Sequence, residues 1–113
     1  MEYRILGDSD ISVSEIGLGC WALGGLNTKN GHDSGWAPVN PSEDEEAVAL
    51  AIEKGVNHFD NADVYGDGRA EILLANILDR LGENNEDFII SSKVGFHSDG
   101  PEHAYTCLLY TSP

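Results

Sequence analysis

Between Gly55 and Gly95 the apolar positions change period twice, which predicts a strand, a helix and a second strand in that order. Val56-Asn57-His58-Phe59 alternates weakly between a helix-stopping glycine and a polar stretch from Asn61 onward, so it reads as a short strand carrying Asp60 at its carboxyl end. From Gly68 to Leu81, Ala70, Leu73, Leu74, Ile77, Leu78 and Leu81 recur at helical spacing, and Gly82 follows as a stop. Phe88-Ile89-Ile90 then opens a strand rich in branched residues, with Lys93 at its far end before the breaker Gly95.

The first half of the chain is patterned less strongly. Tyr3-Arg4-Ile5-Leu6 and Ile11-Ser12-Val13-Ser14 flank the turn residues Gly7-Asp8-Ser9-Asp10 and predict a β-hairpin. Ile16 to Leu23 reads as a strand, and Gly24 to Asn40 as one long glycine-rich loop containing Trp36. A loop of that length in a compact domain is often functional, and Trp36 either lines a pocket or covers the mouth of one. Ser42-x-x-Glu45 has the form of a capping box, after which Val48, Ala51 and Ile52 give an inward stripe until Lys54 and Gly55 end the helix. The chain has no internal repeat and no low-complexity linker.

A strand, crossover and strand in one sheet are normally right-handed, parallel and adjacent, so Asp60 and Lys93 are expected at the same carboxyl edge with Tyr65 on the loop between them. In parallel α/β sheets and barrels that edge is where ligands and catalytic groups gather. A free phenol titrates near pH ~10 and donates protons poorly at neutral pH, whereas a neighbouring ammonium stabilises the phenolate. Lys93 would supply that charge, Asp60 would hold the ammonium oriented, and Tyr65 would act as general acid.

These residues resemble the aldo-keto reductase family. The matching positions are Gly17-Leu18-Gly19-Cys20-Trp21, Phe59-Asp60-x-Ala62-x-x-Tyr65-Gly66, Gly68 with Glu71, and Lys93. The resemblance implies an α/β fold: the N-terminal part of a (β/α)8 TIM barrel preceded by a β-hairpin and truncated after the third barrel strand. It implies that Asp60, Tyr65 and Lys93 are three members of a catalytic tetrad, and that Gly19, Cys20, Trp21 and Asp60 lie against the cofactor. The implied cofactor is NADPH, with NAD as the alternative nicotinamide, and the implied substrate is a small aldehyde or ketone that is reversibly reduced. Asn61 stands where the family usually has Thr or Ser, Ala70 where Ser is common, and Ala75 where Gly is frequent. The fourth tetrad member, a His at the end of the next strand, has no counterpart, because His97 and His103 fall too early. One further helix and strand would place it roughly 30 to 40 residues beyond Lys93.

Length accounts for that gap. A complete (β/α)8 barrel takes about 250 residues, whereas this chain has 113, so residues 1–106 are expected to be the N-terminal portion of such a barrel and inactive by themselves. Residues 107–113, Cys-Leu-Leu-Tyr-Thr-Ser-Pro, break from the family pattern and resemble one reading frame of a transposon-end sequencing adapter, so they are expected to be a non-native tail.

Charge and composition narrow the partners. Six cations against twenty acids give a net charge of −14, which disfavours a nucleic-acid partner. The same excess suits an anionic dinucleotide badly, and the resemblance puts the phosphate-binding loops in the second half of the barrel. With Cys107 set aside, Cys20 has no partner for a disulfide, as expected in a reducing compartment. The first ten residues lack an apolar signal core, and no run approaches the ~20 apolar residues of a membrane span, so a cytoplasmic location without membrane association is expected. The sequence does not specify an oligomeric state. Two other classes fit some residues: a cofactor-binding regulatory subunit of the same fold, and a metal-dependent barrel hydrolase using His58-x-Asp60 with His32-Asp33. No third metal ligand follows on a neighbouring strand, so no metal residue is assigned.

Overall fold

In the computed structural model, residues 1–29, 32–94, 96–97 and 106–107 are described. Strands β1 (Tyr3–Ile5) and β2 (Ser12–Ser14) form the expected antiparallel hairpin, with Arg4 opposite Val13. It is tied to the body of the fold by Asn57, whose side-chain carbonyl accepts from the Ser14 amide at 2.7 Å and whose amide group donates to the Ser12 carbonyl at 3.0 Å.

The central unit is a three-stranded parallel sheet of β3 (Leu18–Gly19), β6 (His58–Asp60) and β7 (Ile89–Ser91), with β6 in the middle. Register aligns Gly19 with Asp60 and Asp60 with Ser91, so three chain segments end together. Pairing continues one residue further, the Cys20 amide donating to the Asp60 carbonyl and the Asn61 amide to the Ser91 carbonyl, both at 2.8 Å. The chain thus has a mixed α/β architecture with parallel strands joined through helices.

Helix α1 (Pro41–Glu53) separates β3 from β6, and α2 (Arg69–Arg80) separates β6 from β7. The buried residues of α2 are Ala70, Leu74, Ile77 and Leu78, the stripe that the apolar spacing predicts. They pack with Cys20, Leu23, Val48 and Phe59 into one core, and Phe88 meets Phe59 edge-to-face at 5.6 Å. Alternation along β6 therefore sends Phe59 into the helix layer and leaves the flanking His58 and Asp60 half-buried on the other face of the sheet.

Three elements differ from the sequence reading. The first parallel strand is only Leu18–Gly19, because Trp21–Gly24 winds into a 3₁₀ turn and Gly25 reverses the chain at φ 70°. The presumed long loop holds an antiparallel hairpin, β4 (Leu26–Lys29) with β5 (His32–Gly35), Asn27 lying opposite Ser34. Its residues are mostly polar, so no alternation marks it; backbone pairing and Gly35, at φ 101° against the Gly25 carbonyl, specify it instead. Helix α1 is capped by Asn40, whose Oδ1 accepts from the Glu43 amide, with Pro41 in the first helical position, rather than by Ser42.

Strands β8 (Phe96–His97) and β9 (Thr106–Cys107) pair antiparallel. Gly31, Gly95, His103 and residues 108–113 of the proposed tail lie outside the described residues. Among the described residues, no helix is long and apolar enough to cross a membrane.

Candidate active site

The carboxyl edge of the parallel sheet brings Asp60, Tyr65 and Lys93 together. Lys93 follows β7 by two residues and turns its ammonium back across β6. Its Nζ lies 3.2 Å from both Asp60 carboxylate oxygens, 2.7 Å from the Asn61 carbonyl and 3.2 Å from the Tyr65 hydroxyl. An ammonium has three protons and no acceptor capacity, so these three partners use its donors fully. The hydroxyl oxygen of Tyr65 must then accept from Lys93, which leaves the phenolic proton free to be donated outward.

Tyr65 is delivered by an unusual backbone. Gly66, Asp67 and Gly68 follow it at φ 61°, 53° and 93°, a left-handed run that turns the chain sharply into α2. Gly66 sits against Gly24 of the turn after β3 so closely that a Cβ built on Gly66 would lie 2.3 Å from the Gly24 carbonyl oxygen. Two glycines thus let the Tyr65 loop and the β3 turn meet backbone to backbone.

Two further residues, which the sequence reading did not select as site residues, complete the cluster: Ser91 by its side chain and Asn61 by its main chain. Ser91 Oγ lies 2.9 Å from Asp60 Oδ1 and 3.2 Å from His58 Nε2. Asn61, noted in the sequence as a departure, is wholly buried, and its main-chain carbonyl is the closest partner of Lys93. Its side-chain oxygen accepts from the Ala62 amide, while its Nδ2 has no partner among the described residues.

The electrostatics keep the ion pair charged. Burial pushes the Asp60 carboxyl up, but the Ser91 hydroxyl and the Lys93 ammonium outweigh it and hold the group below the usual carboxylate value. For Lys93, burial pulls down, and its contacts with Tyr65 and Asp60 overcome this to raise it above an ordinary lysine. Both side chains are about half exposed, at 45% and 49% for Lys93 and Asp60, so solvent screens part of this attraction.

The four residues expected against a cofactor divide by exposure. Gly19 ends β3 in the open, with nothing within 4 Å of where a Cβ would stand, and Trp21 is 44% exposed. Trp21 also stacks edge-to-face on Trp36 at 5.1 Å, which ties the β4–β5 hairpin to the same edge. Asp60 pairs in register with Gly19 on one side and holds the Lys93 ammonium on the other. Cys20 turns its thiol into the core, where burial first, and then the Asp60 charge, push it up to about 11; only its backbone reaches the edge. Among the described residues no three His, Cys, Asp or Glu side chains converge as metal ligands.

The model of the Aldo/keto reductase family matches residues 15–108. A protein of Arabidopsis thaliana named "Probable voltage-gated potassium channel subunit beta" is 32% identical over 101 residues, covering 89% of this chain and 27% of its own length. Among solved structures, an aldo-keto reductase of Bacillus halodurans in its holo form superposes with TM-score 0.68 at 27% identity, over 93% of this chain and 30% of that one. The glycerol dehydrogenase of Gluconobacter oxydans shares the fold with TM-score 0.62 at 21% identity, over 92% of this chain and 29% of its own. The chain therefore spans less than a third of the length of these relatives.

Proposed function

This chain belongs to the aldo/keto reductase family, and on that premise we propose that it is the N-terminal portion of an oxidoreductase that reversibly reduces aldehydes or ketones with NADPH. The observation that carries the reading is the placement of one ammonium, Lys93, within 3.2 Å of both the Asp60 carboxylate and the Tyr65 hydroxyl.

Each residue then has one task. Asp60 holds Lys93 charged and oriented. Lys93 stabilises negative charge as it develops on the Tyr65 oxygen, and Tyr65 gives its free proton to the substrate carbonyl oxygen. The nicotinamide group, when bound, supplies the hydride for the carbonyl carbon. The open strand end at Gly19 and the exposed ring of Trp21 fit its flat ring, and Cys20 contributes main chain there. The cations that hold its phosphates, and a histidine to orient the carbonyl, would come from sequence beyond this chain. The 113-residue chain alone is accordingly proposed to be inactive.

In the full-length protein, Tyr65→Phe should lower kcat by about 10²- to 10⁴-fold while leaving cofactor affinity nearly unchanged, since the ring stays and the proton donor goes. Steady-state kinetics with a simple aldehyde and fluorescence titration of NADPH read the two effects separately. A kcat within about threefold of the parent would remove Tyr65 from this role.

A second reading is favoured by the Arabidopsis relative's name: a cofactor-binding subunit that regulates a partner. It predicts NADPH binding without aldehyde turnover, so the same assay separates the two.

A further inference from the structure

We propose that Ser91 is a positioning residue for this site, fixing the Asp60 carboxylate that holds Lys93 against Tyr65, and that His58 in turn fixes the Ser91 hydroxyl. The inference rests on the proposed reductase reading for its kinetic consequences, though not for its geometry.

Donor counting sets the direction of the chain. An ionised carboxylate only accepts, so at 2.9 Å the Ser91 hydroxyl donates to Asp60 Oδ1. The Phe59 carbonyl, 3.5 Å from Ser91 Oγ, is the poorer alternative acceptor. With its proton spent, Ser91 Oγ is left to accept from His58 Nε2 at 3.2 Å, which assigns the imidazole the Nε2–H form. Donation therefore runs from His58 to Ser91 to Asp60, where it meets Lys93 coming from the other side.

The imidazole is seated for this task. A Cβ on Gly17 would stand 3.3 Å from His58 Nδ1, so the absence of a side chain there lets the ring lie against β3 while its other nitrogen reaches Ser91 across the sheet. His58, Asp60 and Ser91 share the sheet face opposite the apolar core, since Phe59 between them points into the helix layer. Without Ser91 the carboxylate would keep only Lys93 as a side-chain hydrogen-bond partner and could rotate. A rotation that loosened Lys93 from Asp60 would also misplace it against Tyr65, and catalytic geometry tolerates little displacement.

The titratable and charged groups facing Asp60 are Lys93 beyond β7, His58 on its own strand, Tyr65 on the following loop and the Cys20 thiol beyond β3. Replacing Ser91 removes one neutral donor and changes none of these charges. The consequence should be a higher titration midpoint for Asp60 and a matching upward move of the acid limb of the kcat profile.

The test uses full-length protein with Ser91→Ala, Ser91→Thr and Ser91→Cys, each checked for native circular dichroism. Ser91→Ala should lower kcat about tenfold, the scale of one charge-assisted hydrogen bond, with little change in KM. It should also raise the Asp60 midpoint read by carboxyl carbon NMR. Ser91→Thr, which keeps the hydroxyl, should restore both. Ser91→Cys, close in size with a weak donor, replaces Ser91→Ala if the latter fails to fold. An Asp60 midpoint unchanged in the Ala or Cys variant, or a Thr variant as impaired as these, overturns the proposal. The midpoint is measured without turnover, so it decides Ser91's role even if Tyr65→Phe proves active and the reductase reading fails.

Discussion

At the scale of single residues, the site is a matter of how many protons one ammonium has and where they go. Lys93 divides its donors among Asp60, the Asn61 carbonyl and Tyr65, and this arrangement needs both Lys93 and Asp60 charged. The pH dependence follows from the two shifts. Asp60 is lowered from 3.8, so its contribution is present above that value and lost as pH falls through the folded midpoint. Lys93 is raised from 10.5, so its contribution is present below that value and lost as pH rises through the folded midpoint. The pair should thus stay intact throughout the interval from 3.8 to 10.5, with a modest effect on stability because both groups are half exposed. NMR titration of the Asp60 carboxyl checks this, and a midpoint at or above 3.8 would contradict it. That Asp60, Tyr65 and Lys93 meet was legible in the sequence because Asp60 and Lys93 lie at or just beyond the ends of two adjacent parallel strands and Tyr65 lies on the loop that joins them. Ser91 was not, since a serine inside a branched run looks like any strand residue until Asp60 is seen opposite it.

At the scale of elements, what positions the chemistry is the approach of two turns. The 3₁₀ turn after β3 and the Tyr65 loop touch through Gly24 and Gly66, which admits no side chain on either. Gly66→Ala places an L residue at φ 61°, which costs about 1–2 kcal/mol before the contact with Gly24 is counted. We expect a lower melting temperature together with a kcat loss of at least about tenfold, as Tyr65 is carried away from Lys93. Calorimetry and steady-state kinetics on the full-length variant test both; a fully active Gly66→Ala protein would mean that the turn does not set the position of Tyr65. Helix α2 and strand β6 follow directly from apolar period, because each buries a face against the core, whereas β7 is marked by its branched residues and leaves Ile90 exposed. The β4–β5 hairpin escaped that logic, as its polar residues are paired by backbone and anchored by contacts remote in sequence, Trp21 on Trp36 and the Arg69 guanidinium on the Leu26 carbonyl.

At the scale of the whole molecule, the described residues carry one three-stranded parallel sheet in the order β3-β6-β7. The chain measures 44 × 37 × 19 Å, and its radius of gyration of 15.7 Å exceeds the roughly 13 Å of a compact domain of this length. Its accessible surface of 7469 Å² is likewise above the roughly 6,100 Å² of a folded monomer of this mass. Family and strand order were readable from local patterns, since the motif residues and the strand-helix-strand spacing lie close together in sequence. The central claim is that Lys93 links Asp60 to a proton-donating Tyr65, and the most direct measurement is NADPH-dependent aldehyde reduction by the full-length protein and its Lys93→Met variant. The account predicts turnover in the parent and a kcat lower by at least about 10²-fold in the variant, the scale of losing an electrostatic stabiliser of developing charge. A Lys93→Met protein that reduces the aldehyde at the parental rate would contradict it.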